Sequence, residues 1–188
     1  MADETTPIEA VEDTDGGGTA EEPRVLPDDP ILAKLAEAFP EVAFTSFQPL
    51  VGPRQDTAHV SRDELLAFVE AVKAAGFETF IDLSATDHLV SDPRYDVNIN
   101  LLSMQHAQRL LIKVVVPGGE PTVPSISEIY AGANFYEREA WDLFGIEFAG
   151  HTDLTRLLLP DDWEGHPLRK DYSVGSVPVQ FKGSHKSS

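Results

Sequence analysis

The chain has 188 residues, 14 Lys and Arg against 32 Asp and Glu, a net charge of −18 and no cysteine. That balance argues against duplex nucleic acid or an anionic membrane surface as a partner, since both are held by cations. Without a thiolate there is no disulfide framework, no cysteine zinc site and no sulfur ligand for an iron–sulfur cluster.

The acidity is uneven, with ten acids between residues 1 and 29 against Arg24 alone. Residues 1–28 hold only isolated apolar side chains and the run Gly16-Gly17-Gly18, so they are expected to be a disordered acidic tail. No basic start with an apolar stretch follows Met1, and no apolar run reaches the roughly 18 residues of a membrane span, so neither a signal peptide nor a span is expected.

Asp29 before Pro30 opens a helix, with Ile31, Leu32, Leu35, Ala38 and Phe39 at helical spacing and Pro40 closing it. Val42, Phe44 and Phe47 predict a strand, Gly52-Pro53 a loop, and Thr57 to Val60 a strand pairing back. Ser61 and Glu64 form a capping box for a helix whose apolar face is Leu65, Leu66, Phe68, Val69 and Val72, ended by Gly76. Period two then predicts three hairpin-linked strands: Phe80 to Ala85, Tyr95 to Leu101 and Leu110 to Val116. Ser125 with Glu128 suggests a second capping box and a short helix, and a further helix is expected from about Asn134 to Leu143, with Tyr136, Ala140 and Leu143 inward. This order lacks the strict alternation of a doubly wound fold and predicts a two-layer α+β domain over 29–150, its mixed or antiparallel sheet packed against helices. Past Gly150 the regular period ends while Leu154, Leu157, Leu158, Leu159, Trp163 and Leu168 keep the chain apolar. Residues 151–188 therefore read as an extended segment lying on a partner or, equally, on their own domain.

Glu137, Glu139 and Asp142 gather on one predicted helix, and paired carboxylates can act as acid and base. Glu137 and Glu139 are two apart and point to different faces, whereas Arg138 and Asp142 are neighbours at i,i+4 and are expected to pair. An anchored amphipathic helix explains them better, and Gly145 suits the left-handed position after it. His151 and His166 lack metal-ligand spacing, and no glycine pattern cradles a phosphate. The rival reading is a free-standing acid–base enzyme using Glu139 and Asp142 with a histidine.

The run Glu137-Arg138-Glu139-Ala140-Trp141-Asp142-Leu143-Phe144-Gly145-Ile146-Glu147-Phe148-Ala149-Gly150-His151, continuing through Asp153-Leu154, Arg156-Leu157-Leu158 and Gly165-His166-Pro167-Leu168-Arg169-Lys170-Asp171-Tyr172, resembles the family of the C subunit of respiratory complex I, the NADH:quinone oxidoreductase. Thr152 and Thr155 depart from its usual pattern, Thr155 standing where such proteins carry arginine. The resemblance spans about residues 30–175. It implies an assembly subunit in the peripheral arm of a proton-pumping NADH:quinone oxidoreductase, bound at the cytoplasmic face of the cell membrane. It would hold no cofactor of its own, with FMN and Fe–S clusters in partner subunits. Its partners would be the quinone-site subunit, the subunit with the terminal Fe–S cluster and other peripheral-arm subunits. The equivalent subunit of a related membrane-bound hydrogenase, formate-oxidising or deazaflavin-dependent complex is the alternative. Arg138, Glu139 and Asp142, with Glu137, Gly145, Gly150 and His151, are then expected to fix the helix and turn. Phe144, Phe148, Trp163 and Leu168 are expected as apolar anchors, and Arg156, Gly165, His166, Pro167, Arg169, Lys170 and Asp171 as further contacts to the neighbour.

Overall fold

A computed structural model describes residue 27 and residues 29–48, 50–51 and 54–173. The expected acidic tail, apart from a buried Pro27, lies outside the described residues, as do the Gly52-Pro53 loop and everything past 173.

The first helix, α1 (Pro30–Ala38), begins where expected: the Asp29 carboxylate accepts from the Ile31 and Leu32 N–H groups at 2.8 and 3.0 Å. That cap satisfies two of the donors a helix start leaves open. Strand β1 (Ala43–Phe47) pairs antiparallel with β2 (Gln55–Val60), and α2 (Leu65–Ala74) follows. Half of the Ser61–Glu64 box is present: Ser61 Oγ accepts from the Glu64 N–H, but the Glu64 carboxylate takes the Ser61 hydroxyl in place of its backbone N–H, and α2 starts after Glu64. Gly76 ends this stretch at φ +101°, which a Cβ would disfavour.

β3 (Thr79–Asp87), β4 (Tyr95–Ser103) and β5 (Gln108–Val116) are the three antiparallel strands the alternation predicts. The sheet order is β1-β2-β5-β4-β3, with β2 and β5 parallel, so the sheet is mixed. Alternation decides its two faces. Val97, Ile99 and Leu101 of β4 with Leu110, Ile112 and Val114 of β5 are buried towards the helices, whereas Asn98, Asn100 and Lys113 line the open face. Phe68 of α2 sits against Phe39 and Phe44, ring centroids 5.2 and 6.1 Å away, and ties both helices to the edge pair.

The last part is a small β–α–β unit. β6 (Thr122–Pro124) and β7 (Glu147–Ala149) pair in parallel as a second sheet, on either side in sequence of α3 (Ala133–Phe144). Three-residue strands carry too little alternation to be read, and neither was expected. The short helix expected at Ser125 is a turn, because Ser125 Oγ bonds Glu137 and Ser127 instead of capping with Glu128. The inward face of α3 agrees with the expected one in part. Ala140 is buried and Leu143 half-buried as expected, but Tyr136 is exposed, and Ala133 and Glu137 are buried in its place.

Candidate functional site

The C-terminal end of α3 is where the signature residues meet. A helix leaves its last four carbonyls without intrahelical donors. Here the Gly145 N–H serves the Trp141 carbonyl at 2.8 Å and residues 156–169 supply the rest. The Asp142 carbonyl accepts from His166 Nδ1 at 2.9 Å and from Arg156 Nη1 at 3.2 Å, and the Leu143 carbonyl accepts from the Leu168 N–H at 3.1 Å. Arg169 donates to the carbonyls of Phe144 and Gly145 at 2.5 and 3.4 Å. Two guanidinium groups at this end also complement the negative pole of the helix. Gly145 makes the approach possible, for at φ +72° it turns the chain, and a Cβ there would lie 2.5 Å from Arg169 Nη2 and 2.6 Å from the His166 ring.

Asp142 is the centre of this arrangement. One carboxylate oxygen accepts from Arg156 Nη1 at 2.8 Å. The other accepts three consecutive backbone N–H groups, Leu157, Leu158 and Leu159, at 3.0, 2.8 and 3.0 Å. Its side chain is fully buried. Burial opposes the charge, but Arg156 and the three N–H groups outweigh it and hold the carboxyl below the usual carboxylate range. Arg156 completes its fork on the Trp163 carbonyl at 2.7 Å and the Gly165 carbonyl at 3.2 Å.

A second pin lies further along the chain. Arg94 donates to Asp87 through Nε and Nη2 at 2.9 and 2.8 Å and to Asp171 through Nη1 and Nη2 at 2.9 and 2.8 Å. Asp87 also accepts the Lys170 N–H at 2.8 Å. The Arg94 guanidinium, acting against burial, holds Asp87 well below its ordinary range.

The third group is buried behind α3. Glu137 accepts from Ser125 Oγ at 2.6 Å and from the Ile126 N–H at 2.7 Å, with His151 Nε2 at 3.9 Å. His151 Nδ1 accepts from the Asp153 N–H at 3.0 Å, which places the proton on Nε2, where the Asn134 carbonyl is 3.1 Å away. Burial raises the Glu137 carboxyl, and Ser125, Ile126 and His151 oppose that rise. A serine, a carboxylate and a histidine are thus close, but the serine donates directly to the carboxylate and the histidine donates to a carbonyl. Neither geometry activates a nucleophile. Among the described residues no cluster of His, Asp and Glu is placed to hold a metal.

Residues 58–177 match the family model described as the 30 Kd subunit of respiratory-chain NADH dehydrogenase. The chain belongs to this family. The C subunit of the NADH-quinone oxidoreductase of Mycolicibacterium gilvum is 36% identical over 189 residues, covering 92% of this chain and 83% of that one. Among solved structures, the trypsin-resistant fragment of Nqo5 matches with a TM-score of 0.57 and 27% identity over 66% of this chain and 99% of the fragment. A chain of the archaeal membrane-bound sulfane sulfur reductase shares the fold, with a TM-score of 0.67 at 20% identity over 84% of this chain and 96% of that one. Membership of the 30 Kd family makes the chain a component of an oxidoreductase complex associated with a membrane, with other subunits of that complex as its partners. None of its described helices is long and apolar enough to cross the membrane.

Several expectations for this family member's site are redirected. The Arg138–Asp142 pair is replaced by Arg156–Asp142, and Arg138 donates instead to Thr155 Oγ1 at 2.9 Å and the Arg156 carbonyl at 3.0 Å. Thr155 fits this role, whereas an arginine there would face a like charge. Phe148 is buried in β7 and Phe144 packs on the core, so the structure uses both within the domain. Arg156, His166, Arg169 and Asp171, expected at the neighbour, bond the chain's own groups through their side chains, and Lys170 does so through its backbone N–H alone, because the helix end and two buried aspartates need them. Leu168 is exposed together with Leu157 and Leu158. Glu139 is exposed and takes no described hydrogen bond or ion pair, although it was expected to fix the helix. Sequence reasoning missed Asp87, Arg94 and Ser125, whose partners lie up to 83 residues away.

Proposed function

We propose that this chain is a non-catalytic scaffold subunit in the peripheral arm of a proton-pumping NADH:quinone oxidoreductase. It contributes contact surface while flavin and iron–sulfur centres in other subunits carry electrons from NADH to quinone. The observation that carries this reading is the division of labour in residues 154–171: polar side chains hold the segment to the domain, while Leu157, Leu158 and Leu168 face outward. An extended segment rigidly backed by its own domain, with apolar side chains exposed, is suited to burial against a neighbour.

The quinone-site subunit and the subunit with the terminal cluster are the neighbours we assign to it, at the cytoplasmic face of the membrane. The absence of cysteine from the sequence supports the reading that it holds no cluster of its own. A sulfane sulfur reductase shares the fold, so fold alone does not choose the electron donor, and the 36% identity to the NADH-quinone oxidoreductase relative supports NADH.

The test is co-purification with the complex from membranes carrying Leu157→Ser and Leu158→Ser together. Both side chains are at least partly exposed, so the isolated chain should keep its thermal midpoint within about 2 °C. Recovery in the complex should fall severalfold. Wild-type recovery would remove this segment from the interface.

A further inference from the structure

The sheet ends at β3, a strand of nine residues that pairs with β4 on one side only. Alternate backbone N–H and C=O groups of an antiparallel edge strand point away from the sheet. Among the described residues nothing bonds to those groups in β3, for its backbone hydrogen bonds are those of the β4 ladder. Natural edges are usually blunted by proline, lysine, bulges or shortness; Thr79–Asp87 has a register shift between Phe80 and Asp82 but neither a proline nor a basic residue, and from Asp82 to Asp87 its pairing is regular, whereas the opposite edge, β1, has five residues.

Beside this edge runs a groove of about 200 Å³ between β3 and α3. Its walls are Leu83 and Ala85 of the strand, Leu143 and Phe144 of the helix and Leu168 of the wrapping segment, and its one ionisable residue is Glu139. Glu139 is a signature carboxylate that no described residue bonds. An open strand edge, an apolar groove lined by the same strand and a carboxylate at the groove offer what strand addition uses: backbone pairing for affinity, with side-chain pockets for specificity.

We propose that β3 receives an extended segment of another subunit as a sixth strand, with apolar side chains in the groove and a lysine or arginine on Glu139. The proposal rests on the scaffold reading and names the kind of surface the partner offers. Charge selects a basic partner over a second copy, since two chains of net charge −18 would bring like carboxylates together at this edge.

Amide hydrogen exchange on the full chain, alone and within the purified complex, tests it. In the isolated chain the alternate, outward amides of residues 79–87 should exchange fast, and in the complex they should slow by at least about tenfold. Glu139→Lys should leave the thermal midpoint of the isolated chain unchanged, because Glu139 has no described partner, and should lower its recovery in the complex severalfold. Equal exchange at 79–87 in both states overturns the proposal, and if other surfaces of the chain become protected the scaffold reading stands without it. Protection nowhere on the chain overturns the scaffold reading as well. Slow outward amides in the isolated monomer would assign the edge to the chain's own residues, and a dimer in sedimentation would assign it to a second copy. Either result overturns the proposal, as does wild-type recovery of Glu139→Lys.

Discussion

Asp142 and Glu137 lie on one helix, both fully buried, and their surroundings move them in opposite directions. Asp142 answers one guanidinium and three backbone N–H groups, so Asp142→Ala orphans four donors. We expect a loss of about 3–5 kcal/mol in urea unfolding, the range for breaking one side of a buried ion pair. Arg94→Ala should cost about 3 kcal/mol, since Asp87 is left buried without its cation, whereas Asp171→Asn, at an exposed carboxylate, should cost under about 1 kcal/mol. The pH dependence follows from the signs. Asp87 and Asp142 are held below their unfolded values, so their contribution is present above about pH 4 and is lost as pH falls through the folded values. Glu137 is raised, so its ionisation weakens the fold as pH rises from about 4 through its folded value. Glu137→Gln keeps an acceptor for Ile126 and a group for Ser125, and should change stability at pH 7 by no more than about 1 kcal/mol. Relative to wild type it should look best near neutrality and lose that advantage towards pH 4, as read from paired urea titrations.

At the scale of elements, α3 and the segment that follows it form one cooperative unit. The Gly145 N–H caps only the Trp141 carbonyl, and the helix end takes its remaining donors from residues 156–169. Removing everything after Gly150 should therefore destabilise the domain by at least about 3 kcal/mol, with proteolysis and urea unfolding as the readouts. The earlier elements were readable because their signals are local: the Asp29 and Ser61 caps, the terminating Gly76 and the period of two through β4 and β5. What could not be read depends on distance. Glu137 was left out of the inward face because a carboxylate is seldom fully buried, and the Ser125 and Ile126 donors that accommodate it come from a turn 11–12 residues away. The partner of Asp142 was misassigned because i,i+4 proximity offers Arg138, and only the returning chain brings Arg156 into competition. The two short strands β6 and β7 exist only as each other's complement.

For the whole molecule, an α+β domain with helices on one face of a mixed sheet presents three outward features: the open sheet face, the β3 edge and the apolar side chains of the wrapping segment. The wrapping segment carries many of the resemblance residues, and it is fastened by interactions internal to the chain. The proposed scaffold role implies that the chain changes how much complex is formed and leaves the chemistry of each assembled complex alone. The most direct measurement is NADH-dependent quinone reduction per mole of assembled complex, with the amount of complex measured in the same membranes carrying Leu158→Asp and Leu168→Asp. The account predicts less complex at unchanged turnover per complex; a full complement of complex with turnover lost would contradict it.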